Sequence, residues 1–256
     1  MTKQLCNDGR YGLSAHALKA IAIFAMLIDH MAAVFARHDI VVYGAMRFVG
    51  RLTAAIMFFF IVEGYHHTRD KNRYTLRLAV FAAISYLPFV WFAGHALPNG
   101  NPFLKLNVIY TLLIGLLAVR ANREIGPLWL KTVTLCGLIA LSIPGDWSYW
   151  AVFYILGFDL FRGDFKKQAY AYIFITLISI GPDYFAIFRQ MFYGHAINPG
   201  VVIIALVNLG RFVPIGLLRF YNGEKGGGGK WVQWAFYLFY PLHLLVISIV
   251  AMLLYG

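Results

Sequence analysis

Long apolar runs separated by short polar stretches dominate this 256-residue chain. Nine apolar segments can be distinguished, at residues 15–36, 44–65, 75–94, 104–119, 127–143, 147–161, 168–181, 197–218 and 231–254. Because a helix needs about 20 apolar residues to cross a bilayer, the pattern predicts an all-α, polytopic membrane bundle of about nine transmembrane helices. The fifth to seventh segments are short and could be tilted or re-entrant. We expect residues 1–256 to form a single integral-membrane domain.

The composition supports a membrane location. Hydrophobic residues make up 61% of the chain and charged residues 13%, whereas about 25% of the residues in a soluble domain are charged. The net charge of +11 could suggest a nucleic-acid partner. However, the basic residues lie in short loops between apolar segments, where membrane topology alone requires them. The sequence therefore predicts a multi-pass protein in contact with membrane lipids and no nucleic-acid partner.

Lysine and arginine are distributed unequally between alternate loops. With a cytoplasmic N-terminus, fourteen of them lie on the cytoplasmic side: Lys3, Arg10, Arg69, Lys71, Arg73, Arg77, Arg120, Arg123, Arg162, Lys166, Lys167, Arg219, Lys225 and Lys230. Three lie on the opposite side: Arg37, Lys105 and Arg189. Since cytoplasmic loops are enriched in these residues, we expect a cytoplasmic N-terminus and, with nine spans, an external C-terminus.

Two connecting segments have distinct compositions. Residues 223–230 are rich in glycine, which predicts a flexible cytoplasmic linker before the last helix. Residues 181–199 include Pro182, Asp183 and Arg189, and they are interpreted as an extracytoplasmic loop or a surface helix.

The first apolar segment carries three ionisable side chains, Lys19, Asp29 and His30. Such groups are costly at membrane depth, so they commonly mark functional sites. Lys19 and His30 are eleven residues apart, which is close to three helical turns and places them on one face, about 16 Å apart along the axis. Asp29 points about 100° away from His30 and is expected to pair with Arg47 or Arg51. Lys19 could alternatively extend its ammonium to the cytoplasmic interface.

The second segment carries charges at both ends. Arg47 and Arg51 lie four residues apart, on one face of a helix. Glu63 lies near the other end, where it could form an ion pair with Arg69 or Arg73.

Histidine is the natural proton acceptor among these residues, because its unperturbed pKa is about 6.5. His30 is the preferred base, and His243, which follows Pro241 in the last segment, is the second candidate. His243 could instead make a single interhelical hydrogen bond. His66 and His67 lie near loop water and form no HxxxH pair, so we expect no metal site. The chain has no GxSxG, P-loop, GxGxxG or HExxH motif, which favours direct base-assisted transfer over covalent catalysis.

Several motifs, in this order and spacing, resemble the TraX family, whose type member is an F-pilin N-acetylase. They lie at residues 18–22, 26–30, 47–51, 60–65, 67–69, 74–78, 85–89 and 239–244. Two positions depart from the family pattern. No proline precedes Ile56, and Tyr86-Leu87 stands before Pro88 where an acidic residue is common.

The resemblance implies an acetyltransferase of the bacterial inner membrane that uses acetyl-CoA and acetylates an amine, such as the N-terminus of a pilin. The catalytic residues are then expected to be His30, His243, Asp29, Arg47, Arg51 and Tyr240. The cytoplasmic acetyl-CoA site is expected to include Lys19, Glu63, His67, Arg69, Arg73 and Arg77. The spacing of Lys19 and His30 is also similar to the Arg-x10-His signature of transmembrane acyltransferases that modify sugars.

Two other functions are compatible with the same residues. A proton-coupled transporter or channel would also place ionisable residues within the membrane, although the chain shows no internal repeat of the kind that many transporters carry. A non-catalytic pilus assembly protein would not require His30 or His243.

Overall fold

The computed structural model describes residues 12–96, 101–194, 196, 198–227 and 229–255. The regular structure of these residues is helical, apart from two isolated bridge pairs, so the all-α prediction is confirmed. The α-helices are α1 (Ala15–Phe35), α2 (Ile40–Gly50), α3 (Leu52–His67), α4 (Lys71–Ile84), α5 (Tyr86–Ala96), α6 (Val108–Glu124), α7 (Leu128–Leu141), α8 (Ser148–Leu160), α9 (Phe165–Phe192), α10 (Pro199–Leu209), α11 (Val213–Leu218) and α12 (Gly229–Tyr255). Because α2 continues into α3 and α10 into α11, the described helices form ten rods.

Five of these rods are long and apolar enough to cross a membrane. They are Ala15–Phe35, Ile40–His67, Phe165–Phe192, Pro199–Leu218 and Trp231–Tyr255. The pair α4 and α5, bent by 47°, makes a sixth if it counts as one broken span. The prediction of nine spans is therefore wrong, because α6, α7 and α8 have 17, 14 and 13 residues and fall short of the usual span of about 20.

The long helix α9 corrects a second prediction. The sequence suggested a short span that ends near residue 181 and a loop or surface helix beyond it, but α9 continues through Pro182 to Phe192. An internal proline removes one backbone hydrogen bond. In an apolar environment, a loop would leave several backbone groups without partners, so continuing the helix costs less.

The glycine-rich segment before α12 caps α1, where the sequence predicted only a flexible linker. The backbone N–H of Ala15 donates to the Glu224 carbonyl at 2.8 Å, and that of His16 donates to the Lys225 carbonyl at 3.1 Å. The Ser14 hydroxyl accepts from the Ala17 N–H at 3.3 Å. These bonds satisfy N–H groups that have no partner within the helix.

The contacts divide the chain into two compact units. Unit 1 is the described part of Met1–Ile56 together with Phe165–Val232, and unit 2 is Met57–Asp164 together with the described part of Gln233–Gly256.

In unit 1, α2 packs against α1 and α10, and α10 packs against α9. Glycines permit the approach of α2 and α10. Gly44 lies against Ile203 and Val207, and Gly210 lies against the backbone carbonyl of Phe48. The Thr53 hydroxyl also donates to a backbone carbonyl of α1, at 2.9 Å.

Helix α6 forms the centre of unit 2, where it packs against α4, α7 and α8. Its residues Leu116, Ala118 and Val119 are completely buried. Aromatic rings fill the space between α3 and α8, where Phe58 stacks on Tyr154 with ring centroids 5.8 Å apart.

The close packing at Gly210 is testable by a single added methyl group. In Gly210→Ala the new Cβ would lie 2.5 Å from the Phe48 carbonyl oxygen, so we expect a destabilisation of about 1–3 kcal/mol. Gly137→Ala is the matched control, because a Cβ at Gly137 in α7 meets nothing within 4 Å. Thermal unfolding of the purified protein in detergent should show a lowered midpoint only for Gly210→Ala, and equal midpoints for the two variants would contradict the packing described.

Candidate functional site

Asp29 and Arg47 form an ion pair between α1 and α2. Nη1 of Arg47 lies 2.6 Å from Oδ2 of Asp29, and the two side chains are 23% and 19% exposed. The close approach depends on Gly50, since a Cβ at that position would collide with the Asp29 carboxylate. Of the two arginines that the sequence offered to Asp29, the structure pairs Arg47 with it.

Lys19 and His30 lie on the same helix as Asp29 but on a different face. Helix α1 is uninterrupted from Ala15 to Phe35, so the three-turn spacing between Lys19 and His30 is retained. Both residues are half-buried. Successive residues of a helix point about 100° apart, and the Asp29 carboxylate is held by Arg47.

Arg51 lies at the junction of two helices. Helix α2 ends at Gly50, and Arg51 caps it with its backbone N–H bonded to the Phe48 and Val49 carbonyls. The side chain is half-buried, one turn beyond Arg47. It therefore belongs to the same part of unit 1 as the Asp29–Arg47 pair.

His243 is buried within α12 and is 5% exposed. Its Nδ1 lies 2.8 Å from the Phe239 carbonyl oxygen, and its ring stacks on Phe239 with centroids 4.7 Å apart. A carbonyl oxygen can only accept, so Nδ1 carries the hydrogen and Nε2 is the basic nitrogen of the neutral ring. Helix α12 continues through Pro241.

Tyr240 accompanies His243 in unit 2. Its ring lies edge-on to that of His243, with centroids 5.6 Å apart. Its hydroxyl accepts a long hydrogen bond of 3.4 Å from the Val108 N–H at the start of α6. The structure thus brings together two of the predicted catalytic residues, Tyr240 and His243, in a buried position.

Unit 2 also contains a buried carboxylate that the sequence analysis missed. Asp159, near the end of α8, has a completely buried side chain. Its Oδ1 lies 2.8 Å from Nε2 of His66, and its Oδ2 accepts from Nε of Arg123 at 2.9 Å. His66, which the sequence placed in loop water, is therefore held by an acid.

This arrangement joins the C-terminal ends of three helices, α3, α6 and α8. Helix C-termini carry partial negative charge, which favours cations. Arg123 supplies such a cationic side chain, and it also donates to the Asp159 backbone carbonyl at 2.7 Å. The cluster therefore fixes the three helix ends, and it orients His66 as a carboxylate orients a histidine in acid–base pairs.

Glu63 lies beside this cluster but has a different partner from those predicted. Its carboxylate accepts from Nε of Arg162 at 2.8 Å, and neither Arg69 nor Arg73 forms this ion pair among the described residues. Nδ1 of His67, one turn later, bonds to the Glu63 backbone carbonyl at 2.8 Å.

Lys71, Tyr65 and Glu124 form a third polar group at the same helix ends. Nζ of Lys71 lies 2.8 Å from the Tyr65 hydroxyl and 3.2 Å from Glu124, and Arg120 donates to the same carboxylate at 3.3 Å. Burial raises the pKa of Glu124. Hydrogen bonds from Lys71 and Tyr65, together with the charge of Arg120, outweigh the effect of burial, so the pKa of Glu124 lies below its ordinary value.

The remaining predicted acetyl-CoA ligands have separate surroundings. Arg69 is exposed. Arg73 is 84% exposed and pairs at 3.0 Å with Asp70, the residue that caps the start of α4. Arg77 lies over the Tyr74 ring, 5.8 Å from its centroid.

The predicted site residues are divided between the two units. Lys19, Asp29, His30, Arg47 and Arg51 lie in unit 1, and Glu63, His67, Arg69, Arg73, Arg77, Tyr240 and His243 lie in unit 2. Asp159 is an acidic residue within an apolar run of the sequence. The same pattern identified Asp29, so the sequence could also have indicated Asp159.

Comparison with known proteins agrees with the resemblance noted in the motifs. The family model described as "TraX protein" matches residues 14–251. A protein of Dichelobacter nodosus named "Probable fimbrial assembly protein FimC, serogroup H1" is 35% identical over 250 residues, which cover 94% of this chain and 97% of that protein. No solved structure matches the chain.

Removal of the buried carboxylate should destabilise unit 2. Asp159→Ala leaves the donors of His66 and Arg123 without their acceptor, which should cost about 2–4 kcal/mol. Arg73→Ala is the control, because it breaks an exposed ion pair worth at most about 1 kcal/mol. We expect a clearly lower thermal unfolding midpoint for Asp159→Ala than for Arg73→Ala, and an unchanged midpoint in Asp159→Ala would show that the cluster does not hold the helix ends.

The lowered pKa of Glu124 predicts a pH-dependent contribution to stability. A carboxylate whose pKa is lower in the folded state stabilises the fold above its unfolded pKa, and this contribution disappears as the pH falls through the folded value. The unfolding midpoints of wild type and Glu124→Gln should therefore differ at pH 7 and converge as the pH falls from the ordinary pKa of 4.5 through the lower folded value. A difference that persists unchanged in acid would contradict the role of the charged form.

Proposed function

The chain belongs to the TraX family of multi-pass membrane proteins, and from this premise we propose that it is a membrane-embedded acetyltransferase. It transfers an acetyl group from acetyl-CoA to an amine, with His30 as the general base. The observation that carries this proposal is the continuous helix α1, which holds Lys19 and His30 on one face within an apolar span. A cation and a histidine about 16 Å apart suit a long anionic donor that enters with its acetyl end first.

In the proposed reaction, the neutral amine nitrogen of the acceptor attacks the thioester carbonyl carbon. The C–N bond forms and the C–S bond breaks, while His30 takes a proton from the amine and returns it to the departing thiolate. Base assistance of this kind contributes about 100-fold or more to a rate.

Arg51 is the proposed donor to the developing oxyanion, since it lies in unit 1 with His30 and arginine side chains can stabilise such charge. Arg47 is less suited to this role because it is engaged by Asp29. The Asp29–Arg47 pair would instead fix α1 against α2 and so position His30.

The phosphates of acetyl-CoA require exposed cations, and the residues at the start of α4 fit that requirement. Arg69 and His67 are exposed, and Arg73 is 84% exposed. Glu63 would act indirectly, because its pair with Arg162 holds the helix end that carries His67. We propose Arg69, Arg73 and Arg77 as the groups that attract the donor.

The acceptor is proposed to be a fimbrial or pilin subunit with a free N-terminal amine. This proposal rests on the relative named as a fimbrial assembly protein and on the association of the family with pilin acetylation. A non-catalytic role in fimbrial assembly is the main competing explanation of the relative's name.

Histidine variants test the chemistry. Purified protein, reconstituted in lipid vesicles, is supplied with isotopically labelled acetyl-CoA and a pilin N-terminal peptide, and acetylated peptide is measured by mass spectrometry. We expect His30→Ala to lose transfer by about 100-fold or more because the base is gone. His38→Ala should retain it, since His38 is an exposed histidine in the loop between α1 and α2.

His243→Ala separates the two candidate bases. Full activity in His30→Ala together with loss of activity in His243→Ala would transfer the role of base to His243. Full activity in both variants would overturn histidine-assisted transfer, and the absence of any transfer by the wild-type protein would support the assembly role instead.

A further inference from the structure

An acid inside the long helix α9 has no role in the reaction described above. Asp183 follows Pro182, and both lie within the candidate span Phe165–Phe192. The residue is half-buried. Its Oδ2 accepts a hydrogen bond of 2.7 Å from Nδ2 of Asn208 on α10, so Asp183 faces a neighbouring candidate span of unit 1.

Asn208 forms the buried side of this contact. Asn208 is 2% exposed. The Asp183 carboxylate fixes the orientation of the Asn208 amide, because only the amide nitrogen can donate to a carboxylate. The other end of the amide, Oδ1, is buried and accepts no hydrogen bond from any described residue. A buried acceptor that has no donor does not recover the free energy lost when water was removed from it. A ligand that donates a hydrogen bond to Asn208 Oδ1 would therefore be stabilised here.

The contact is part of a wider polar strip between α9 and the span Pro199–Leu218. One turn before Asp183, Ser179 accepts from Nη1 of Arg211 at 3.0 Å. The backbone carbonyl of Arg211 in turn accepts from the Tyr172 hydroxyl at 2.8 Å. The arginine of this strip is thus directed to Ser179.

Asp183 differs from the other acid of unit 1 that lies in a candidate span. Asp29 is neutralised by Arg47 at 2.6 Å, whereas no ion pair found among the residues that the structure describes includes Asp183. The amide of Asn208 donates a hydrogen bond but brings no positive charge. A carboxylate in an apolar span requires a cation or a proton.

A primary ammonium meets both requirements. It carries a positive charge and three N–H donors, so one group can serve the Asp183 carboxylate and the Asn208 amide oxygen together. A metal ion is a poorer match, because no group of three His, Cys, Asp or Glu side chains within the described ranges could hold one. Since Asn208 Oδ1 is shielded from solvent, binding must part the side chains that cover it.

We propose that Asp183 and Asn208 form the recognition site for the ammonium group of the acceptor. This inference rests on the proposed function, because it assigns the acceptor of the same reaction to a position on α9. Asp183 lies 17 residues from Lys166, about 25 Å along the helix axis, and so in the half of α9 away from its basic start. Asp183 is a recognition residue here. The ammonium gives one proton to bulk water before the neutral amine attacks as described above.

Direct binding tests this site without requiring catalysis. The probes are a ten-residue peptide of alanine and leucine with a free α-amino group and its N-acetylated twin, titrated against the purified full-length protein in detergent. The wild-type protein should bind the free-amine peptide at least tenfold more tightly than the acetylated twin. Asp183→Asn keeps the shape of the side chain but removes its charge, and it should abolish this preference.

Two further variants complete the design. Asp183→Glu retains the charge and should retain the preference, which guards against a general effect of substitution at this position. Glu224→Gln removes an exposed acid that lies outside the candidate spans and should behave as wild type. Unfolding midpoints measured alongside establish that each variant is folded.

The results separate this inference from the proposed function. A wild-type protein that prefers the free amine but transfers no acetyl group would support the recognition site and overturn the acetyltransferase proposal. Active transfer with an unchanged acceptor KM and an unchanged binding preference in Asp183→Asn would overturn the recognition site alone. An unchanged preference combined with a lower unfolding midpoint would likewise overturn it, since Asp183 would then serve only to hold Asn208.

Discussion

A charged side chain in an apolar environment must have a partner, and this constraint organises both units of the protein. In unit 1, Asp29 is held by Arg47, and the small Gly50 allows that contact to form between α1 and α2. In unit 2, the completely buried Asp159 receives one donor at each carboxylate oxygen. Because removal of either partner would leave an ion without compensation, these pairs fix helix positions as well as charges.

The charges at the helix ends of unit 2 also connect fold with proposed function. The C-terminal ends of α3, α6 and α8 come together around Asp159 and Glu63, and cationic side chains offset their partial negative charge. The same helix ends carry the exposed His67 and precede the exposed Arg69. In the proposed function, the exposed residues beside these helix ends would attract an anionic donor such as acetyl-CoA.

The sequence predicted contacts that follow from local geometry better than those that depend on distant residues. Helical periodicity correctly offered Arg47 as a partner of Asp29. It could not show that Asp159 meets His66, because the two residues are 93 positions apart. Hydropathy shows where apolar runs lie but not how many of their residues form a helix. The sequence therefore predicted spans at α6, α7 and α8, although these helices are short. Pro182 suggested that the helix ends there. The helix continues because, in an apolar environment, its backbone N–H and C=O groups must stay hydrogen-bonded.

Intact mass spectrometry of fimbrial subunits would decide whether this protein acetylates an amine on an exported subunit, as we propose. Subunits would be isolated from cells that carry the wild-type chain, from cells that lack it and from cells that carry His30→Ala. We expect one added acetyl group at the subunit N-terminus only with the wild-type chain. Identical subunit masses in all three, with fimbriae lost only when the chain is absent, would contradict catalysis and indicate an assembly role.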